Sequence, residues 1–378
     1  MFVIVVSRGH TEKKNPLLGI FEMDQAMALQ SAGHKVILIS IDLRSIRRRR
    51  KLGFSHLYNK KIEVYNFSFP LGRMNGRILL FFGQYGINKI YNTIVKKHGK
   101  PDIVHAHFST MAAIAIVLKK KYAVPFVITE HNSQLNKDQI NKQIIFWGNI
   151  AYKYADKVIA VSPALAENIK RHFSIESIII PNIVDTLNFK IQKKNNDKFT
   201  FISVGSLIYR KGFDLLINAF HQSKFDKNIS LSIIGEGNER KSIESQIANL
   251  KLTGQVRLLG QLSSREEIQQ NFSTSSAFVL ASRVETFGVA YIEAMAAGLP
   301  VIATRCGGPE YFVNQENGIL VEVDDIIGLS NAMKCIYEDI NNYDPYIIQE
   351  NVINKFSPEV IAKQLSDVYQ YIIGGEAS

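Results

Sequence analysis

Residues 281–310 read ASRVETFGVAYIEAMAAGLPVIATRCGGPE. Glu285 stands just before a glycine-containing turn, and Glu293 follows inside a helical pattern. The helix is predicted to open near Gly288 and to stop at Gly298 and Pro300, glycine then proline being a normal helix end. A strand, Val301–Thr304, follows at once, and then the glycine pair Gly307 and Gly308. The backbone amides after Glu285, from Thr286 through Phe287, Gly288 and Val289, lie at the positive end of that helix, which attracts phosphate. Glu293 falls about one turn deeper, on roughly the face where the helix opens. A carboxylate there accepts hydrogen bonds from two neighbouring hydroxyls, as a ribose offers. One strand–helix–strand element can thus hold the diphosphate and ribose of an activated sugar.

Upstream, VGSLIYRKGFDLLINAF (residues 204–220) ends a strand at Val204, turns through glycine and Ser206, and sets Arg210 and Lys211 before a helix. Cations at a helix start are electrostatically unfavourable, which favours a working role for Lys211. As a point charge it can offset the charge growing on a leaving nucleotide. Gly235-Glu236-Gly237 follows an apolar strand but is not a complete GxGxxG, so it reads first as a tight turn and second as a ligand contact.

Short β-branched runs alternate with longer helical ones along the whole chain, which argues for α/β architecture with parallel sheets. Strands are predicted at 3–6, 36–40, 62–66, 103–105, 126–129, 158–161 and 178–180, and again at 200–204, 230–234, 256–259, 277–280 and 301–304. The polar segment KIQKKNNDK, residues 190–198, reads as a linker. The division is placed at 1–188, 189–355 and 356–378. The chain of 378 residues is long enough for two domains. Two cysteines without metal-ligand spacing, Cys306 and Cys335, read as free thiols of a reducing, cytoplasmic compartment. No apolar run approaches the ~20 residues that span a bilayer, and MFVIVV reads as a buried first strand. Residues 1–130 carry 21 Lys and Arg against 7 Asp and Glu, and the remainder 24 against 27. A basic N-terminal third suggests an anionic partner.

That third contains the segment PLLGIFEMDQAMALQSAGHKVILIS with Gly19, the strand ends PDIVHAHF with His107 and TEHN with His131, and IPNIVD with Asn182. In doubly wound sheets, ligands gather at the carboxyl ends of strands. The run Arg47, Arg48, Arg49, Arg50, Lys51 has no interleaved aromatics for nucleic acid. It reads as a solvated loop or as a contact to an anionic membrane. Each basic residue near such a surface adds about 1 kcal/mol. Residues 73–91 mix basic and bulky apolar side chains and read as packed core or as an interfacial helix.

The glutamate spacing, the GGPE segment and the glycine loop resemble the retaining, nucleotide-sugar-dependent glycosyltransferases of family 4. The resemblance implies the GT-B fold, two Rossmann-like domains facing across a deep cleft, with a terminal helix crossing back to the first. It implies Glu293 on the ribose, Lys211 with Arg210 on the diphosphate, Glu285 on the sugar hydroxyls, and His131 and Gly19 brought to the donor on domain closure. His107 and Asn182 are expected along the cleft. By the same resemblance, the strand Val256–Gly260, which includes Leu259, is expected to offer backbone groups to a base. The family usually has arginine where Ser206 stands and a glycine where Leu18 stands. No metal and no cofactor are expected, because no Asp-x-Asp pair is present; a uridine diphosphate sugar is the favoured co-substrate. The expected acceptor is a glycan or a lipid diphosphate at the inner face of a membrane, in polysaccharide, capsule or lipopolysaccharide synthesis. A nucleotide-sugar epimerase on the same fold and a non-catalytic binding partner are the alternatives.

Overall fold

The computed structural model describes residues 1–11, 18–48, 50–186, 189–191, 198–262 and 264–375. Arg49 and most of the expected linker lie outside them. Two compact units form: Met1–Ile183 with Pro358–Ser378, and Val184–Ser357.

The first unit carries eight strands: β1 Phe2–Ser7, β2 Lys35–Asp42, β3 Gly53–Asn59, β4 Ile62–Ser68, β5 Ile103–His107, β6 Phe126–Glu130, β7 Lys157–Ala160 and β8 Ile178–Ile179. Their order is β3-β4-β2-β1-β5-β6-β7-β8. All neighbours are parallel except the hairpin pair β3 and β4. The chain reverses direction across the sheet between β1 and β5. Strands buried on both faces, such as FVIVVS and IVHAH, are the near-continuous apolar runs a parallel sheet needs. The terminal helix Pro358–Gly374 belongs to this unit. Its Ile361, Leu365 and Tyr369 join Met23, Ala26 and Leu29 of the helix Ile20–Ser31 in one core. Fully burying one such Leu or Ile contributes about 1.5–3 kcal/mol.

The second unit has six parallel strands: β9 Phe199–Val204, β10 Ile229–Ile234, β11 Val256–Gly260, β12 Ala277–Leu280, β13 Val301–Thr304 and β14 Gly318–Val321. Their order is β11-β10-β9-β12-β13-β14, so this sheet reverses between β9 and β12. Both units are therefore doubly wound, as the alternating pattern predicts.

Two strands differ from the sequence expectation. β3 is an edge strand whose residues alternate between partly and fully exposed, so it carries no apolar run. Pairing with β4 fixes it, a tertiary effect that overrides a weak local signal. β14 is four residues long and is defined by its register with β13.

Candidate active site

In a doubly wound sheet the crevice at the reversal point is where ligands bind. In the second unit that point is fed by two loops, one after β9 and one after β12. The first brings Lys211 and the second brings Glu285. Lys211 Nζ donates to Glu285 Oε1, and the Ser282 hydroxyl donates to the same oxygen at 2.8 Å. The pair is largely enclosed, with 15% of the Lys211 side chain and 7% of the Glu285 side chain exposed. Burial pushes the Glu285 carboxyl up, but the Lys211 ammonium, its hydrogen bond, Arg210 and Ser282 together outweigh that and hold it below its usual range. Arg210 donates to the Val284 carbonyl at 3.3 Å, so it also faces this loop.

Gly212 shows why the turn after Lys211 takes this course. Its φ is +66°, and a Cβ there would meet the Ala281 carbonyl oxygen at 1.8 Å. The two loops therefore touch backbone to backbone, a contact that only glycine permits. Arg283 pins them further, with 2.8 and 3.0 Å bonds to Asp214 and a 2.7 Å bond to the Tyr209 carbonyl.

The helix Val289–Ala296 opens at Gly288 and is followed by the left-handed Gly298 and by β13. Its positive end lies directly after Thr286 and Phe287. The Phe287 ring itself packs on Phe312 and Phe356. The second glycine pair seals the turn from behind. The Glu285 amide donates to the Cys306 carbonyl at 3.1 Å, and Glu310 accepts from the Gly307 amide at 3.0 Å. Burial pushes the Cys306 thiol up to about 12, so it is a packed thiol and not a nucleophile at neutral pH. Glu293 lines a small cavity with Asp185, Phe189 and Arg265. Ser206 is exposed, and Leu259 is 39% exposed on β11. The Gly235 amide is committed to the Gly260 carbonyl at 2.9 Å, so this glycine acts in the turn.

In the first unit, the reversal point gathers the end of β1, the loop to Gly19, and the ends of β5 and β6. Gly19, at φ +68°, caps the helix Ile20–Ser31 and would meet the Gly9 carbonyl at 2.4 Å if it carried a Cβ. Three histidine rings stack behind it: His105 on His107 with centroids 5.0 Å apart, and His107 on His131 at 5.1 Å. His107 Nδ1 lies 2.9 Å from His131 Nε2. His107 Nε2 is buried and has no partner among the described residues. The His107–His131 hydrogen bond joins the two strand ends, its donor set by the tautomer, and Asn182 also bonds the His131 side chain. Burial, then neighbouring positive charge, pulls all three rings below their ordinary range, His107 to about 3. The ladder is neutral at pH 7. His107 is fully buried between His105 and His131.

Glu130 and Glu22 carry no role in the sequence reading. Glu130 is fully buried and accepts from the amides of Ser109, His131 and Asn132, each at 2.9 Å, and from the Tyr152 hydroxyl at 2.6 Å. It fixes the strand end that carries His131. Glu22 is buried beside Ser7, 3.2 Å away. Burial raises its pKa. Both stand inside quoted motifs, TEHN and the glycine loop, and that adjacency was the available signal.

The arginine run separates. Arg47 is exposed. Arg50 is not part of a charged surface: its side chain is 5% exposed, it pairs with Asp42 at 2.8 Å, and it donates to Ser68 and to the carbonyls of Ser45, Asp42, Arg44 and Phe69. The loop carbonyls need a donor, and this guanidinium supplies it. Lys51 is exposed at the rim of a cavity. Of Arg48 the backbone alone is described, in a short 3-10 turn. The helix Gly76–His98 divides likewise. Ile87, Ile90, Tyr91 and Ile94 are core, whereas Arg77, Ile78, Phe81, Tyr85 and Lys89 form an exposed stripe.

Two family models cover most of the chain: "Glycosyltransferase Family 4" over residues 23–187 and "Glycosyl transferases group 1" over 184–350. An uncharacterized glycosyltransferase of Methanocaldococcus jannaschii is 31% identical over 260 residues, 67% of this chain and 69% of that protein. The chain belongs to the group 1 glycosyltransferases. A lipopolysaccharide core biosynthesis glycosyltransferase of Rhizobium meliloti is 26% identical to this transferase over 60% of its chain and 66% of the relative. Among solved structures, sucrose-phosphate synthase from Thermosynechococcus elongatus matches with a TM-score of 0.81 at 21% identity, covering both chains fully. Anabaena HepE in complex with UDP and glucose matches at 0.74 and 19%, over 97% of this transferase and 99% of that chain. These neighbours are GT-B glycosyltransferases, and the fold of this transferase is GT-B. Among the described residues no helix is long and apolar enough to cross a membrane, and no group of three or more His, Cys, Asp or Glu is placed to hold a metal ion.

Proposed function

We propose that this glycosyltransferase moves a hexosyl group from a nucleoside-diphosphate sugar, a uridine nucleotide first, to a hydroxyl of a glycan or a lipid-diphosphate-linked acceptor. The observation that carries the reading is the Lys211–Glu285 pair, at the reversal point of the second sheet and beside the helix mouth at Gly288. In the reaction the bond from the sugar C1 to the diphosphate oxygen breaks, that oxygen leaves with the electron pair, the acceptor oxygen bonds to C1, and the acceptor's proton passes to the departing diphosphate. Lys211 and the amides opening the helix offset that charge, and Glu293 takes the ribose. Glu285, released from Lys211 as the diphosphate arrives, accepts from the sugar hydroxyls and steadies positive character at C1. His131 and Gly19 are the first unit's proposed contributions. Retention at C1, catalysis without a divalent cation and a place in cell-surface polysaccharide synthesis complete the proposal. The likeness to a UDP complex supports the uridine donor, and the likeness to a lipopolysaccharide core enzyme supports the place in cell-surface polysaccharide synthesis. Peripheral binding at the inner face of a membrane is supported by Arg47 and the exposed stripe of the helix Gly76–His98.

A thermal-shift screen of nucleoside diphosphates and their sugars, with EDTA present, tests this. A uridine nucleotide is expected to raise the melting temperature of the natural chain and to lose that effect in Lys211→Ala. A chain that no nucleoside diphosphate stabilises would refute the reading.

A further inference from the structure

A cavity of about 260 Å³ opens in the first unit where the carboxyl ends of β2 and β4 meet the antiparallel β3. Its wall contains Asp42, Arg44, Arg50 and Lys51. Among the described residues of the lining Asp42 is the carboxylate, and both arginines pair with it, Arg44 at 2.7 Å and Arg50 at 2.8 Å. Counted over those described residues, two guanidiniums and the Lys51 ammonium stand beside one carboxylate. Among the described residues no carboxylate pairs with Lys51. Glu63, the carboxylate behind His56, is engaged outward by Lys97 at 2.8 Å and His98 at 3.3 Å, so it does not cancel this field.

Two hydroxyls of the lining are set up as donors. Ser68 Oγ accepts from Arg50 Nε at 2.7 Å, and Ser55 Oγ accepts from the Asn66 amide at 3.3 Å. Asn66 is itself held by Ser40, which donates to its oxygen at 2.8 Å. Each hydroxyl accepts from its neighbour through one lone pair and keeps its own proton to donate. A net positive pocket with an ammonium and two hydroxyl donors suits a compact oxyanion. Its volume exceeds a single anion and falls just short of the ~300 Å³ at which whole-ligand sites begin. A phosphoryl group with part of the sugar that bears it fits that size.

We propose that this cavity holds the phosphoryl group of a phosphorylated acceptor, with Lys51 as its principal charge. The inference rests on the transferase reading, with the donor on the second unit, where Lys211 and Glu285 lie, and the acceptor on the first. The phosphoryl group has two sources, a soluble sugar phosphate or a lipid-linked diphosphate.

Isothermal titration of the full chain, already saturated with UDP, separates these. The probes are a hexose 1-phosphate and a short water-soluble polyprenyl diphosphate, with free hexose as the uncharged control. At least one phosphorylated probe is expected to bind, and Lys51→Ala to weaken it about tenfold, the loss of one charge-assisted contact. Lys96→Ala removes an exposed lysine elsewhere on the same unit and is expected to leave binding unchanged. Which probe shows the Lys51 dependence identifies the source. Equal losses from the two variants, or no binding of either phosphorylated probe to a UDP-saturated chain, overturn the inference. Failure of UDP itself to bind is a separate result and refutes the functional reading instead.

Discussion

Lys211 and Glu285 reach each other from two different strand ends, β9 and β12, and each is the other's charge partner in the absence of ligand. A buried pair that loses one member leaves a charge uncompensated, at about 3–5 kcal/mol.

Lys211→Ala is expected to lower stability by about that amount and turnover by roughly 10²–10³-fold. Adding Glu285→Gln removes the orphaned charge. The double variant should regain most of the stability, read by urea unfolding, and none of the turnover. Recovery of both together would reduce the pair to a structural role.

The histidine ladder sets a pH limit on the first unit. The folded pKa values of His105, His107 and His131 are depressed, His107 to about 3, against about 6.5 unfolded. Below about pH 6.5 the unfolded chain binds protons that the native chain refuses, so stability rises with pH. It is complete above that value and is lost as pH falls toward the folded pKa. Each ring contributes up to about 1.4 kcal/mol per pH unit. Urea unfolding between pH 7.5 and 5.5 should show this slope, and His107→Phe should flatten it. A stability independent of pH across that interval would contradict the neutral ladder.

The basic run must be tested residue by residue. Arg50→Ala should destabilise the loop around Asp42 by about 1–3 kcal/mol, because the carbonyls of Ser45, Asp42, Arg44 and Phe69 lose their donor while Arg44 still pairs with Asp42. Arg47→Ala, on the surface, should change stability by less than about 0.5 kcal/mol. Vesicle sedimentation is therefore informative for Arg47→Ala with Arg77→Ala and Phe81→Ser. Binding to anionic vesicles at low salt should fall in that triple variant. Unchanged sedimentation would remove the exposed stripe as a membrane contact.

Much of this protein was legible locally. The helix from Gly288 to its stop at Gly298, the doubly wound pattern and the placement of Lys211 before a helix follow from short-range rules of capping, periodicity and helix electrostatics. The edge strand β3 was not legible, because its residues alternate in exposure and only pairing with β4 holds them. Nor was the fate of RRRRK. Composition shows five like charges, but nothing in it shows that loop carbonyls and Asp42 converge on Arg50. Glu130 and His107 became buried posts behind His131 because residues distant along the chain closed around them. Local sequence determined the elements and the chemistry they carry. Tertiary structure decided which charges are enclosed, since desolvation and hydrogen-bond supply depend on neighbours brought from elsewhere in the chain.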